Sequence, residues 1–206
     1  MSSAAKALAG IAATITMLSS VSVASANNLS ISHGNLWNAV FHPFRLQSSG
    51  VTAAACDLTL EGSFHSSTMR KVERALIGHI SRATINNCRS GSATVLTETL
   101  PWHLQYAGFA GTLPLINEVR ILAIGMSFRF RDAIFGSICL ARTTTTNPGV
   151  LVARAGGETG GGNLLISSIV ADPLARIPCG SLSGGFEGSG TFTELPFGDN
   201  LLIQLI

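Results

Sequence analysis

From Cys56 to the C-terminus the chain is a succession of short segments in which apolar and polar residues alternate, separated by glycine, proline and asparagine. A period of two sets one face of a strand against a core and the other in water. The clearest case is Cys56-Asp57-Leu58-Thr59-Leu60-Glu61, with Gly62 and Ser63 ending it. Further strands are expected over Thr94 to Thr99, Trp102 to Phe109, Val119 to Phe130, Ala133 to Thr146, Val150 to Ala155, Leu164 to Val170, Ser181 to Glu194 and Leu201 to Ile206. Between them lie turn signals such as Pro101, Gly108, Gly111, Asn147-Pro148-Gly149, Gly156-Gly157 and Gly198-Asp199. Short strands at this spacing specify an all-β fold, a single antiparallel sandwich or barrel-like domain.

Two stretches are less plain. Asn27 to Ser49 mixes Trp37, Phe41 and Phe44 with His33, His42 and Pro43 in no clear period, and reads as a leading strand and a loop. In Thr68 to Thr84, Met69, Val72, Leu76 and Ile80 recur at helical spacing, while Ile77, Ile80, Thr84 and Ile85 raise the β tendency toward Cys88. The second half is expected to be strand. In Val119 to Phe130 and just beyond, Phe128 and Phe130 share one face and Arg129 and Arg131 the other, so that strand has a dry side and a wet one.

The N-terminus carries an address. Lys6 supplies a positive start, Ala7 to Leu18 form an apolar run too short to span a membrane, and Ala24-Ser25-Ala26 offers small residues for signal peptidase. Residues 1–26 are expected to be a cleaved signal peptide, leaving a single β-rich extracellular domain over 27–206 that begins at Asn27 and has no transmembrane segment. An outer-membrane barrel fits less well, since it needs strands of about 9–11 residues with aromatic girdles, and this chain has one tyrosine and two tryptophans.

An exported chain with an even number of cysteines favours disulfides. Cys56, Cys88, Cys139 and Cys179 allow three connectivities, and sequential pairing, Cys56–Cys88 and Cys139–Cys179, closes two loops without crossing the chain. Zinc is disfavoured because no C-x-x-C pair exists. With 12% charged residues, a formal net charge of +2 and no block of like charges, nothing points to nucleic acid.

Catalytic motifs are missing. His33, His42, His65, His79 and His103 fall in no metal-ligand spacing, and Gly180-Ser181-Leu182-Ser183-Gly184 puts Leu182 where a nucleophile elbow needs serine. No catalytic residue, metal or cofactor is assigned. A carboxylate pair leaves no local trace, and Glu98 beside the Trp102 turn is where a glycosidase acid would first be sought. Trp37, Trp102 and Tyr106 are the residue types that stack on sugars or apolar ligands, and are equally suited to a core; Trp102, next to the Pro101 turn, is expected to be buried there.

Thr97-Glu98-Thr99-Leu100-Pro101-Trp102-His103, followed by Phe109-Ala110-Gly111-Thr112-Leu113-Pro114, resembles a group of secreted bacterial β-rich proteins with a Leu-Pro-Trp turn, over about Cys56 to Thr193. At a greater distance the cysteine-punctuated strands resemble secreted activators of alkane oxidation. The resemblance implies a β fold and export, and brings no activity with it. The function expected is therefore non-catalytic: a cell-surface or matrix component, or a module binding an apolar, lipid or carbohydrate ligand. The alternative is a secreted hydrolase of glycosidase or esterase type, whose residues converge only in the fold.

Overall fold

The computed structural model describes residues 28–32, 34–48, 50–112, 115–131, 136, 138–159, 163–171, 177–179 and 182–205. The expected signal peptide, residues 1–26, and the run Gly160-Gly161-Gly162, a turn signal by sequence, lie outside them. The described residues form strands β1 (Asn28–Ser32), β2 (Leu36–Ser48), β3 (Val51–Phe64), β4 (Thr68–Arg70), β5 (Leu76–Ser90), β6 (Ser92–Val95), β7 (Trp102–Thr112), β8 (Leu115–Ile124), β9 (Ser127–Arg131), β10 (Ile138–Arg142), β11 (Gly149–Thr159), β12 (Asn163–Ala171), β13 (Ile177–Cys179), β14 (Leu182–Glu194) and β15 (Leu201–Leu205). One 3-10 turn spans Thr97–Thr99.

Taken in chain order, β2, β3, β5, β7, β8, β11, β12 and β14 each pair antiparallel with the next. β14 also pairs with β2, from Gly184 opposite Ser48 to Glu194 opposite Trp37, so the ladders return on themselves as a barrel-like sheet. An up-and-down barrel of this strand number leaves an interior that side chains can fill. The remaining strands extend the sheet at its two ends: β4–β1–β15 joins β12, and β6–β9–β10–β13 joins the start of β14.

The interior is aromatic. Trp37, Phe41, Phe44, Trp102, Phe186 and Phe192 are buried along with Leu58 and Leu60. The Phe44 ring lies 5.5 Å from both Phe128 and Phe186, and Trp102 lies 5.6 Å from Phe128, so β9 packs onto the barrel core through its dry face. The outer face bears charged pairs instead: Arg45 with Glu187, Arg82 with Glu61, and Glu118 with Arg120 and Arg154. Among the described residues this distribution is the reverse of a lipid-facing barrel, which is apolar outside and polar within. No helix of the described residues is long and apolar enough to cross a membrane.

Several boundaries differ from expectation, each for a local reason. β3 runs on through Gly62 to Phe64, because Gly62 makes room for Trp37 rather than ending the strand. The stretch read as a leading strand and loop is two strands. The long β2 alternates in burial about a register shift between Phe41 and Phe44, where Pro43 has no N–H to give a ladder. Val119 to Phe130 is two strands broken at Gly125, whose φ of 91° suits glycine. Thr94 to Thr99 is strand only to Val95 before the 3-10 turn. Within Thr68 to Thr84 there is no helix: β4 and β5 flank a turn in which Arg74 N–H donates to Tyr106 C=O.

Candidate functional site

Trp102, expected to be buried beside its Pro101 turn, is 0% exposed, and Trp37 and Tyr106, candidates for ligand or core alike, are buried too, Trp37 at 1% exposed. Trp102 Nε1–H donates to Thr99 Oγ1 at 2.8 Å, and Thr99 donates in turn to Leu96 C=O at 2.7 Å, so the 3-10 turn anchors the indole from behind. Burial pushes the Tyr106 phenol above its ordinary pKa. These rings fill the barrel and offer no face to solvent. Glu98 sits exposed on the turn itself.

The Cys56–Cys88 disulfide is present, with an S–S distance of 1.99 Å, and ties β3 to β5. The Cys179 side chain lies outside the described residues. Beside this disulfide, His42 Nδ1 stands 2.6 Å from Asp57 Oδ1, close but not aligned as a hydrogen bond, while Asn87 Nδ2 donates to Asp57 Oδ2 at 3.1 Å. A guanidinium nitrogen of Arg89 lies 2.5 Å from His42 Nε2. Guanidinium only donates, so in this contact Nε2 is the acceptor. A histidine whose Nε2 is taken by arginine cannot accept a proton from a nucleophile. At the far end of β3, Ser63 Oγ is 3.5 Å from His79 Nε2, at the outer limit of a hydrogen bond; His65 and His103 are the ring and cross-strand neighbours of His79, and among the described residues it makes no ion pair with a carboxylate. The parts of a hydrolytic triad are thus divided between the two ends of one strand.

The most distinctive surface is the wet face of β9. Arg129 and Arg131 both point outward, about 7 Å apart by the rise of a strand, while Phe128 and Phe130, which alternate with them, are buried. Register completes two rungs across three strands: Ser92, Arg131 and Ile138 in one, Thr94, Arg129 and Leu140 in the other. Arg142 extends the same face of β10. Ser92, Thr94, Arg129, Arg131 and Ile138 line an open depression of about 250 Å³. Ile138 and Leu140 are 62% and 52% exposed, a large apolar commitment to solvent at one spot.

Three arginines gather on this face. Elsewhere Arg45, Arg82, Arg120 and Arg154 each meet a carboxylate, Arg74 donates to the Thr145 carbonyl and Arg89 meets the His42 ring. Among the described residues, no carboxylate lies within ion-pair reach of Arg129, Arg131 or Arg142. Guanidinium forks match carboxylate, sulfate and phosphate oxygens in a two-point fit, the Ser92 hydroxyl can bridge to a further oxygen, the Thr94 hydroxyl, which donates to the Arg129 carbonyl, can accept from a sugar hydroxyl, and Ile138 and Leu140 can cover C–H surface. Alternation in the sequence marks Arg129 and Arg131 as outward-facing. That Ser92, Thr94, Ile138, Leu140 and Arg142 join them depends on pairing between separate strands, for which the sequence carries no local signal.

Comparison of the chain with protein-family models, with curated proteins and with solved structures finds no match.

Proposed function

We propose that the protein is a secreted, non-catalytic binding module that holds an acidic polysaccharide on the face built by β6, β9 and β10. The observation that carries this reading is the pair Arg129 and Arg131, side by side without carboxylate partners among the described residues, over a depression edged by hydroxyls and by exposed Ile138 and Leu140. An open sheet face suits an extended polymer better than a small molecule, which is usually enclosed. Sugar rings present carboxylates, hydroxyls and C–H patches together, and those are the three chemistries offered here.

Export rests on the sequence of residues 1–26 and accords with a disulfide between Cys56 and Cys88, since such bonds persist in oxidising compartments. We also propose that Cys139 and Cys179 form a second bridge. Supporting this, β13 runs antiparallel to β10 with Cys179 opposite Ala141, next but one to Cys139, and no free thiol occurs among the described cysteines.

The test is affinity electrophoresis of the purified mature protein through gels containing a polyuronate, a neutral glucan or no polymer, run beside flotation with anionic phospholipid vesicles. Retardation by the polyuronate alone supports the proposal. Equal retardation by the neutral glucan, or capture only by vesicles, overturns it.

A further inference from the structure

Three histidines that share no spacing motif stand together on the outer face of β3, β5 and β7, away from the arginine face. His79 and His103 are directly opposed across β5 and β7, so their side chains leave the same side of the sheet with Cβ atoms about 5 Å apart. The His65 ring, just beyond β3, lies 5.7 Å from that of His79, centroid to centroid. The strands beneath are held by Ile80, Trp102 and Leu104, all buried, which makes the backbone under the imidazoles a firm platform. His65 and His103 are exposed to solvent. At 3.5 Å, the Ser63 hydroxyl does not hold His79 Nε2 firmly.

We propose that His65, His79 and His103 form a binding site for a divalent transition-metal ion of imidazole preference, Cu²⁺ or Zn²⁺. Imidazole nitrogens suit these ions, and the Irving–Williams order places Cu²⁺ as the tighter of the two. In the conformation described, no three His, Cys, Asp or Glu side chains among the described residues converge on one metal-sized point. Rotation of the exposed His65 and His103 rings toward His79 is the change that binding requires. Of the three, His65 alone borders the neighbouring depression of about 430 Å³, with Asn28, Thr68 and Arg70; water completes the coordination from the solvent side, where His65 and His103 are exposed. The Arg70 charge works against a cation there, so affinity depends on all three nitrogens binding together.

The experiment titrates metal-free mature protein with CuCl₂, followed by calorimetry and by electron paramagnetic resonance, with ZnCl₂ as a second arm. The expected result is one Cu²⁺ per chain, with a nitrogen-ligated spectrum, and a loss of affinity on the order of tenfold or more for His79→Ala and for His103→Gln. His103 is exposed, so its replacement leaves folding undisturbed even if His79→Ala does not. His42→Ala, whose ring belongs to the Asp57 and Arg89 cluster, is expected to bind as the unaltered protein does. Absence of saturable Cu²⁺ binding, or binding unchanged in both His79→Ala and His103→Gln, would overturn the proposal.

Discussion

Gly62 lies against the six-membered ring of Trp37, so near that a Cβ at this position would come within 2.5 Å of Trp37 Cζ2 and closer still to the His79 carbonyl. The glycine is the gap through which the buried indole passes across the β2–β3 ladder. Replacing glycine in an uncrowded strand ordinarily helps, by reducing the freedom of the unfolded chain. Here the sign reverses. Gly62→Ala is expected to lower stability by about 1–3 kcal/mol, the range for overpacking a core, as read from urea denaturation.

The Cys56–Cys88 bond closes a loop with a sequence separation of 32 residues. By the loop-entropy relation, its removal is expected to cost about 3–4 kcal/mol. The comparison is chemical denaturation of the Cys56→Ala/Cys88→Ala variant against the parent protein. Peptide mapping without reduction should recover a fragment joining these two cysteines.

Thr99 holds the Trp102 indole through the bond from Nε1–H to Oγ1. Thr99→Val keeps the shape and removes the acceptor, and is expected to cost about 1–3 kcal/mol for an orphaned buried donor. Thr99→Ser should restore most of it. Thermal unfolding of the three proteins measures the difference, with Trp fluorescence as the local readout.

Glu118 gives a pH dependence. Burial works to raise its pKa, but the hydrogen bonds and charges of Arg120 and Arg154 outweigh it and hold the carboxyl below its ordinary value of 4.5. A depressed folded-state pKa stabilises the fold at pH values above the unfolded-state pKa, and that contribution is lost as pH falls through the folded value. The parent protein is therefore expected to lose stability on acidification below about pH 4.5 more steeply than Glu118→Gln does. Equal slopes of unfolding free energy against pH would contradict this.

The fold was legible wherever the determining pattern is local. Alternation marked β3 and the dry and wet faces of β9, and the strong β-formers before Cys88 placed β5 correctly against a competing helical spacing. What escaped reading depends on contacts between strands. Gly62 looks like a terminator unless Trp37 is known to lie across from it. The long β2 looks irregular because the bulge at Pro43 shifts its alternation by a step. Trp102 is buried beside its Pro101 turn as expected, whereas for Trp37 and Tyr106 the sequence leaves ligand and core equally open, since composition cannot tell an inward ring from an outward one. The arginine face and the histidine cluster are each assembled from three separate parts of the chain, so neither has a motif.

The most direct test of the account is calorimetric titration of the mature protein with a soluble polyuronate, repeated for the Arg129→Gln/Arg131→Gln variant and at rising salt. Saturable binding is predicted, weakened about tenfold or more by the double substitution and progressively by salt, since the pairing is between exposed charges. No uptake of a neutral glucan and no cleavage of the polymer are expected. Binding that survives the double substitution undiminished, or hydrolysis of the polyuronate by the protein, would contradict the assignment of a non-catalytic acidic-polysaccharide module.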